Sequence, residues 1–157
     1  MIEIIRAEEK HVTAIGKLWW EFMIFHQNAD HIFTPREGSL TGFEENQLRR
    51  LMKSKDGLVL VALDNGKVVG YSLSEIKDSS PGFRHEKIGF VHDAAVTASH
   101  RRGGIGQKML AEIMAWFKGR NIRHVELQTA SRNPVANAFW QKQGFEIYMH
   151  TLYQEIK

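Results

Sequence analysis

Apolar residues recur at helical spacing in four stretches and alternate or run together in six others. Val12, Ile15, Leu18, Trp19, Phe22 and Met23 fall on one side of a 3.6-residue repeat, which predicts a helix over 8–25. Phe43, Leu48 and Leu51 mark the inner side of a second helix over 41–53, after an irregular stretch over 27–40. Ile105, Met109, Leu110, Ile113, Met114 and Phe117 form the stripe of a third helix. Pro134 suits the first turn of a fourth over 134–143, which Gly144 closes. Strands are predicted over 2–6, 58–63, 67–76, 88–97, 124–129 and 145–156. Asp64-Asn65-Gly66 predicts a tight hairpin turn, because both central residues must take positive φ. The order β-α-α-β-β-β-α-β-α-β predicts an α/β protein: a mixed, mostly antiparallel sheet with helices on both faces.

Composition narrows this picture. At 157 residues the chain is the size of one domain, 1–157, and 43% hydrophobic with 25% charged residues is the balance of a globular protein. No cysteine is present, which excludes a disulfide framework, a thiolate metal site and a cysteine nucleophile. The start of the chain lacks the pattern of a signal peptide, and no stretch approaches the ~18 apolar residues of a membrane span. A cytoplasmic protein without a membrane partner is expected. A net charge of +3 suits an anionic ligand and falls short of a nucleic-acid coat.

One segment gives that charge an address. In Arg101-Arg102-Gly103-Gly104-Ile105-Gly106-Gln107 a strand has just ended, a basic loop follows and a helix opens at the glycines. A helix N-terminus offers unpaired N–H groups and the positive end of its dipole. Glycines remove the Cβ atoms that would hold a phosphate away, and the arginines add forked donors. A nucleotide P-loop would need Gly-Lys-Ser/Thr, which Gly106-Gln107-Lys108 does not supply. A dinucleotide fingerprint would need glycine at Met109.

The loop resembles the Arg/Gln-x-x-Gly-x-Gly/Ala pyrophosphate loop of the GCN5-related N-acetyltransferases, the GNAT family. Val96 stands where that family's central strand ends. A second block, Asn133-Pro134-Val135-Ala136-Asn137-Ala138-Phe139-Trp140-Gln141-Lys142-Gln143-Gly144-Phe145, resembles the family's Asn-x-x-Ala-x-x-Leu/Phe-Tyr-x-x-x-Gly-Phe. The resemblance covers the chain in element order and 90–145 in motif detail. It implies that acetyl-coenzyme A is the acyl donor and that the fourth and fifth strands splay to admit its pantetheine arm. It further implies that Ala94, Ala95 and Val96, the loop from Arg101 to Gln107, Asn133 and Trp140 contact the coenzyme.

The implied chemistry is attack of an amine on a thioester, so a group must take the amine's proton. The family resemblance points to His92 and Asp93, which stand where several members carry an acidic pair. In a regular strand these two point to opposite faces, so only one can face the cleft. A backbone N–H near Ala94 or Ala95 is the expected oxyanion donor. Trp140 departs from the pattern, since the family often has tyrosine there as the acid, and an indole N–H is no acid near neutral pH. Tyr148 or Tyr153 on the last strand are the candidate replacements, unless water protonates the thiolate.

The acceptor is expected against the first two helices and their connecting loop, where Trp19, Trp20, Phe22, Phe25 and Phe33 accompany Glu21 and Asp30. Aromatic faces with carboxylates suit a cationic amine, small-molecule or peptide. Glu21 and Asp30 are the substrate-binding candidates. His26 and Asp30 are four apart but form no metal pattern, so no metal is expected. A homodimer is compatible with this reading. Two rivals remain open: a non-catalytic acyl-coenzyme A sensor, encouraged by Trp140, and a nucleic-acid-binding module using Arg101 and Arg102.

Overall fold

The computed structural model describes residues 1–157. Its sheet has the order β1-β2-β3-β4-β5, with β1 (Ile2–Arg6), β2 (Gly57–Asp64), β3 (Lys67–Asp78) and β4 (Lys87–Val96) antiparallel. The short β5 (Val125–Leu127) joins β4 in parallel. The predicted tight turn between β2 and β3 forms with φ of 49° at Asn65 and 81° at Gly66.

Strand alternation divides the core into two layers. Val59, Val61 and Leu63 of β2 face α1 (Val12–Ala29), while Leu58 and Leu60 face α4 (Ile105–Gly119). On the first side Val12, Ile15 and Trp19 pack with Tyr71, Leu73 and Phe43. On the second, Ile113 and Phe117 pack with Val91. Phe117 is 1% exposed and lies where any Cβ at Gly89 would meet its ring at 2.7 Å. Phe117→Ala should therefore lower unfolding free energy by about 3–5 kcal/mol in a urea titration.

Three expectations change. The first helix runs on to Ala29, four residues past the prediction, and ends where the Asp30 side chain accepts from the Ile32 N–H. The predicted helix over 41–53 is α2 (Ser39–Gly42), a π-helical segment (Phe43–Leu48) and α3 (Arg49–Lys53). A five-residue step from Phe43 to Leu48 does not return to one face of a 3.6-residue repeat. The wider π turn brings both into the core.

The third change is larger. No strand forms over 145–156. Beyond Phe145 the backbone makes no hydrogen bond within the chain, because the neighbouring β5 offers only three residues of edge. The remaining helix, α5 (Pro134–Lys142), begins at the Asn133 cap and ends before Gly144, whose φ is 94°. No helix is long and apolar enough to cross a membrane.

Candidate active site

The site grows from an irregularity in the sheet. Pairing of β3 with β4 shifts between Leu73 and Ser74: Leu73 lies opposite Asp93, but Ser74 lies opposite Val91. His92 is thus the extra residue of a β-bulge. Val91 faces α4 before the bulge, whereas Phe90 contacts the His92 ring at 4.8 Å on the other side. After the bulge Ala95 packs into the α1 layer and Val96 into the α4 layer. His92 and Asp93 consequently line the same cavity, although they are neighbours in sequence. The expectation that only one of them could face the cleft holds for a regular strand, and β4 is not regular here.

The bulge also marks the end of sheet pairing. β4 and β5 pair only from Gly89 opposite Val125 to Val91 opposite Leu127, so the strands part beyond this point. The gap is an open cavity whose walls include Phe22, His26, His92, Asp93, Ala94 and Trp140. Asn133 and the 127–130 segment close its far side. A second open cavity runs from Phe22 along Ala95, Val96 and Ala98 to Arg101. Phe22 borders both, and the two cavities side by side make a trough along β4 that reaches Arg101 of the glycine loop.

At the end of that trough the loop is shaped for an anion. The first helical backbone bond of α4 runs from Lys108 N–H to Gly104 C=O, which leaves the N–H groups of Ile105, Gly106 and Gln107 without partners. No side chain caps them. Gly104 has φ of 81°, and Arg102 is also left-handed at 64°. A Cβ at Gly104 would meet no protein atom, so its side faces open space. Gly106 also faces α5: a Cβ there would lie in contact with Phe139 at 3.4 Å, which leaves little room for a larger side chain. Arg101 Nε donates to Val96 C=O at 3.0 Å, tying the loop to the end of β4. These free donors, the open glycine and the adjoining trough fit a pyrophosphate with an extended arm.

Other candidates are scattered. Asn133 caps α5 by accepting from the Ala136 N–H at 3.2 Å, and it also lines the cavity with Trp140. Glu21 lies in the second cavity, beside Ala95 and Arg101, away from His92. Asp30 is engaged by Arg132 at 3.0 Å and lines neither cavity. Tyr148 and Tyr153 are exposed and line neither. The Tyr148 hydroxyl donates to Glu126 at 2.5 Å, and this bond raises its pKa, making the phenol a poorer acid. His26 Nδ1 donates to the Phe22 carbonyl at 2.9 Å, and no cluster of metal-binding side chains is present.

Glu75, outside the sequence-derived set, adjoins His92, and Arg50 stands behind it. His92 Nε2 lies 2.9 Å from Glu75 Oε1, and Arg50 Nη1 of α3 donates to Glu75 Oε2 at 3.1 Å. Burial pushes the Glu75 pKa up, but the hydrogen bonds and charges of His92 and Arg50 bring it below the usual value. Glu75 left one trace in the sequence. It continues the inward alternation of Tyr71 and Leu73, where a carboxylate needs a partner.

Asp93 has no such partner, and burial alone raises its pKa to about 6. The group is therefore protonated more readily in the folded chain than in the unfolded one. Stability it contributes in acid is lost as pH rises from about 4 through about 6. Asp93→Asn should stabilise the protein at pH 7.5, by on the order of 2 kcal/mol, and the gain should vanish near pH 4 in denaturation curves. Tyr71, whose buried hydroxyl has no partner, is pushed far above its usual pKa by burial and by the Asp93 charge.

A family model described as the acetyltransferase (GNAT) family matches residues 13–145. The chain belongs to the GNAT family of acetyltransferases. A curated relative, the uncharacterized N-acetyltransferase YhfO of Bacillus subtilis (strain 168), is 20% identical over 92% of this chain and 90% of its own. A mutant of the BH1408 protein from Bacillus halodurans superposes with a TM-score of 0.85 at 21% identity, covering 99% of each chain. The aminoglycoside N-acetyltransferase AAC(6')-Iy in complex with CoA superposes with a TM-score of 0.75 at 14% identity, again over 99% of each. This GNAT chain is thus an acyl-transferring enzyme with the family's mixed sheet, in which β4 and β5 separate beyond the β4 bulge.

Proposed function

We propose that residues 1–157 act as one catalytic domain that passes the acetyl group of acetyl-coenzyme A directly to a primary amine of a small molecule. The observation that carries this reading is the pair of cavities along β4, with His92 and Asp93 at one end and Arg101, which leads into the free amides of α4, at the other. The CoA complex of AAC(6')-Iy supports the donor, and its aminoglycoside substrate class supports a small amine as acceptor.

Ile105, Gly106 and Gln107 would hold the pyrophosphate through their N–H groups, with Arg101, Arg102, Gly103 and Gly104 shaping the loop around it. Ala94, Ala95 and Val96 would accept the extended arm, with Asn133 and Trp140 on the opposite wall. Acetyl-coenzyme A supplies an activated thioester. Asp93, ionised above pH 6, draws the ammonium form of the acceptor into the cavity. His92 takes the proton that makes the amine a nucleophile. A backbone N–H near Ala94 or Ala95 steadies the developing oxyanion. The thiol has an ordinary pKa near ~8.5, so its departure as thiolate does not demand a tyrosine acid at Trp140.

Thiol release with a panel of primary amines tests the reading. Turnover on at least one amine is expected, whereas tight coenzyme binding with no turnover on any would favour a sensor.

The same reading includes a second copy of the chain as partner. The outer edge of β5 is unpaired, and the tail beside it exposes Ile147, Tyr148, Met149, Leu152 and Ile156, the last two at 88% and 98%. Tyr148 ties this tail to Glu126 and Glu155 reaches His31 at 3.6 Å, yet its backbone remains unpaired. Sedimentation should show a dimer at micromolar concentration, and Leu152→Asp with Ile156→Asp should yield monomers.

A further inference from the structure

The chain from His92 through Glu75 to Arg50 crosses three elements and ends on a helix that takes no part in the trough. We propose that Glu75, held by Arg50, is a positioning residue that fixes the proton of His92 on Nε2 and so reserves Nδ1 for the acceptor amine. This rests on His92 being the proton acceptor in the reading above.

Three observations converge on it. Glu75 Oε1 sits 2.9 Å from Nε2, while Nδ1 makes no hydrogen bond within the protein. Glu75 is ionised at neutral pH, so its oxygens only accept, and Nε2 must carry the hydrogen. The second carboxylate oxygen takes the Arg50 hydrogen bond at 3.1 Å, which stops the carboxylate from turning away. In the neutral ring the remaining nitrogen, Nδ1, then holds the lone pair. Once His92 accepts a proton from the amine, both nitrogens carry hydrogen and the Glu75 charge steadies the resulting cation. No atom is gained or lost beyond that one proton.

Other groups near the ring do not offer the same service. Asp93 follows His92 in the chain and faces Tyr71, whose hydroxyl is buried and unpartnered. His26 of α1 directs Nδ1 to the Phe22 carbonyl. Lys77 of β3 stands 3.8 Å above the centre of the Phe90 ring, and Glu126 of β5 binds Tyr148 and His124. Only Glu75 reaches a ring nitrogen of His92 within hydrogen-bond distance. The arrangement is the orienting member of an acid–base triad, built on a β-strand and anchored by a helix.

The test uses the full chain and has two readouts. Nitrogen chemical shifts of His92 in the protein without substrate should report the Nε2–H tautomer in the wild type, and Glu75→Gln should disturb it. With a productive amine, Glu75→Gln should lower kcat about 10–100-fold while KM for acetyl-coenzyme A changes less than about twofold. Glu75→Asp should restore part of the rate. Arg50→Met should reduce kcat in the same sense, and Arg50→Lys should recover more of it. Thermal melts accompany each variant, and any that does not fold is replaced by the tautomer readout on the wild type. A wild-type His92 carrying its hydrogen on Nδ1, or an unaltered kcat in folded Glu75→Gln, would overturn the proposal. If the wild type acetylates no amine, the functional reading fails by that result alone, while the tautomer measurement still decides what Glu75 does to the ring.

Discussion

Replacing His92 by alanine should lower kcat about 10²–10⁴-fold while leaving the dissociation constant for acetyl-coenzyme A within about twofold of wild type. The separation follows from the two ends of the trough. His92 lies at the bulge with Asp93, whereas Arg101 lies at the other end, on the loop that leads into the free amides of α4. His92 is partly accessible and contributes to neither main hydrophobic cluster, so its loss should leave the fold intact. Asp93 is the competing base. Its pKa of about 6 makes it competent near neutrality, and it shares the cavity. Stopped-flow thiol release with both single variants distinguishes them. If His92→Ala retains the full rate and Asp93→Asn does not, the proton goes to the carboxylate instead.

Replacing Gly104 by leucine should weaken acetyl-coenzyme A binding at least about 100-fold, or roughly 3 kcal/mol, as read by titration calorimetry. Gly104 precedes the three unpartnered N–H groups, and its open side is the space from which a phosphate would approach them. A leucine fills that space. It must also adopt φ near 81°, which costs about 1–2 kcal/mol of stability and should appear as a modest drop in melting temperature. The Cβ meets no protein atom, so the protein should still fold. Gly106→Leu is the contrasting variant: its side chain would strike Phe139, so its cost should fall on the packing of α4 against α5 as well as on binding. Undiminished affinity in folded Gly104→Leu would remove the loop from the coenzyme site.

The sequence determined those parts of the molecule whose structure is local. The limits of β1 were legible because Ile2, Ile4 and Ile5 form a short apolar run before the first helix. The turn at Asn65-Gly66 and the α5 start at Asn133-Pro134 were legible because the residues required by each φ or cap are few. The glycine loop belongs with them. Its donors come from helix geometry, and its glycines can be counted in the chain.

What only the tertiary structure decided depends on the pairing of distant strands. A register shift between β3 and β4 has no signature in the local sequence around His92, yet it turns His92 and Asp93 to one face. The pairing of Glu75 with His92, 17 residues apart, and with Arg50, 25 residues away, likewise requires the sheet and α3 to be in place. The predicted last strand failed for the complementary reason. Residues 145–156 carry the apolar pattern of a strand, but a strand exists only where an edge receives its hydrogen bonds, and β5 presents three residues. Local patterns fixed where donors and apolar faces lie along the chain, and long-range hydrogen bonding decided which of them meet.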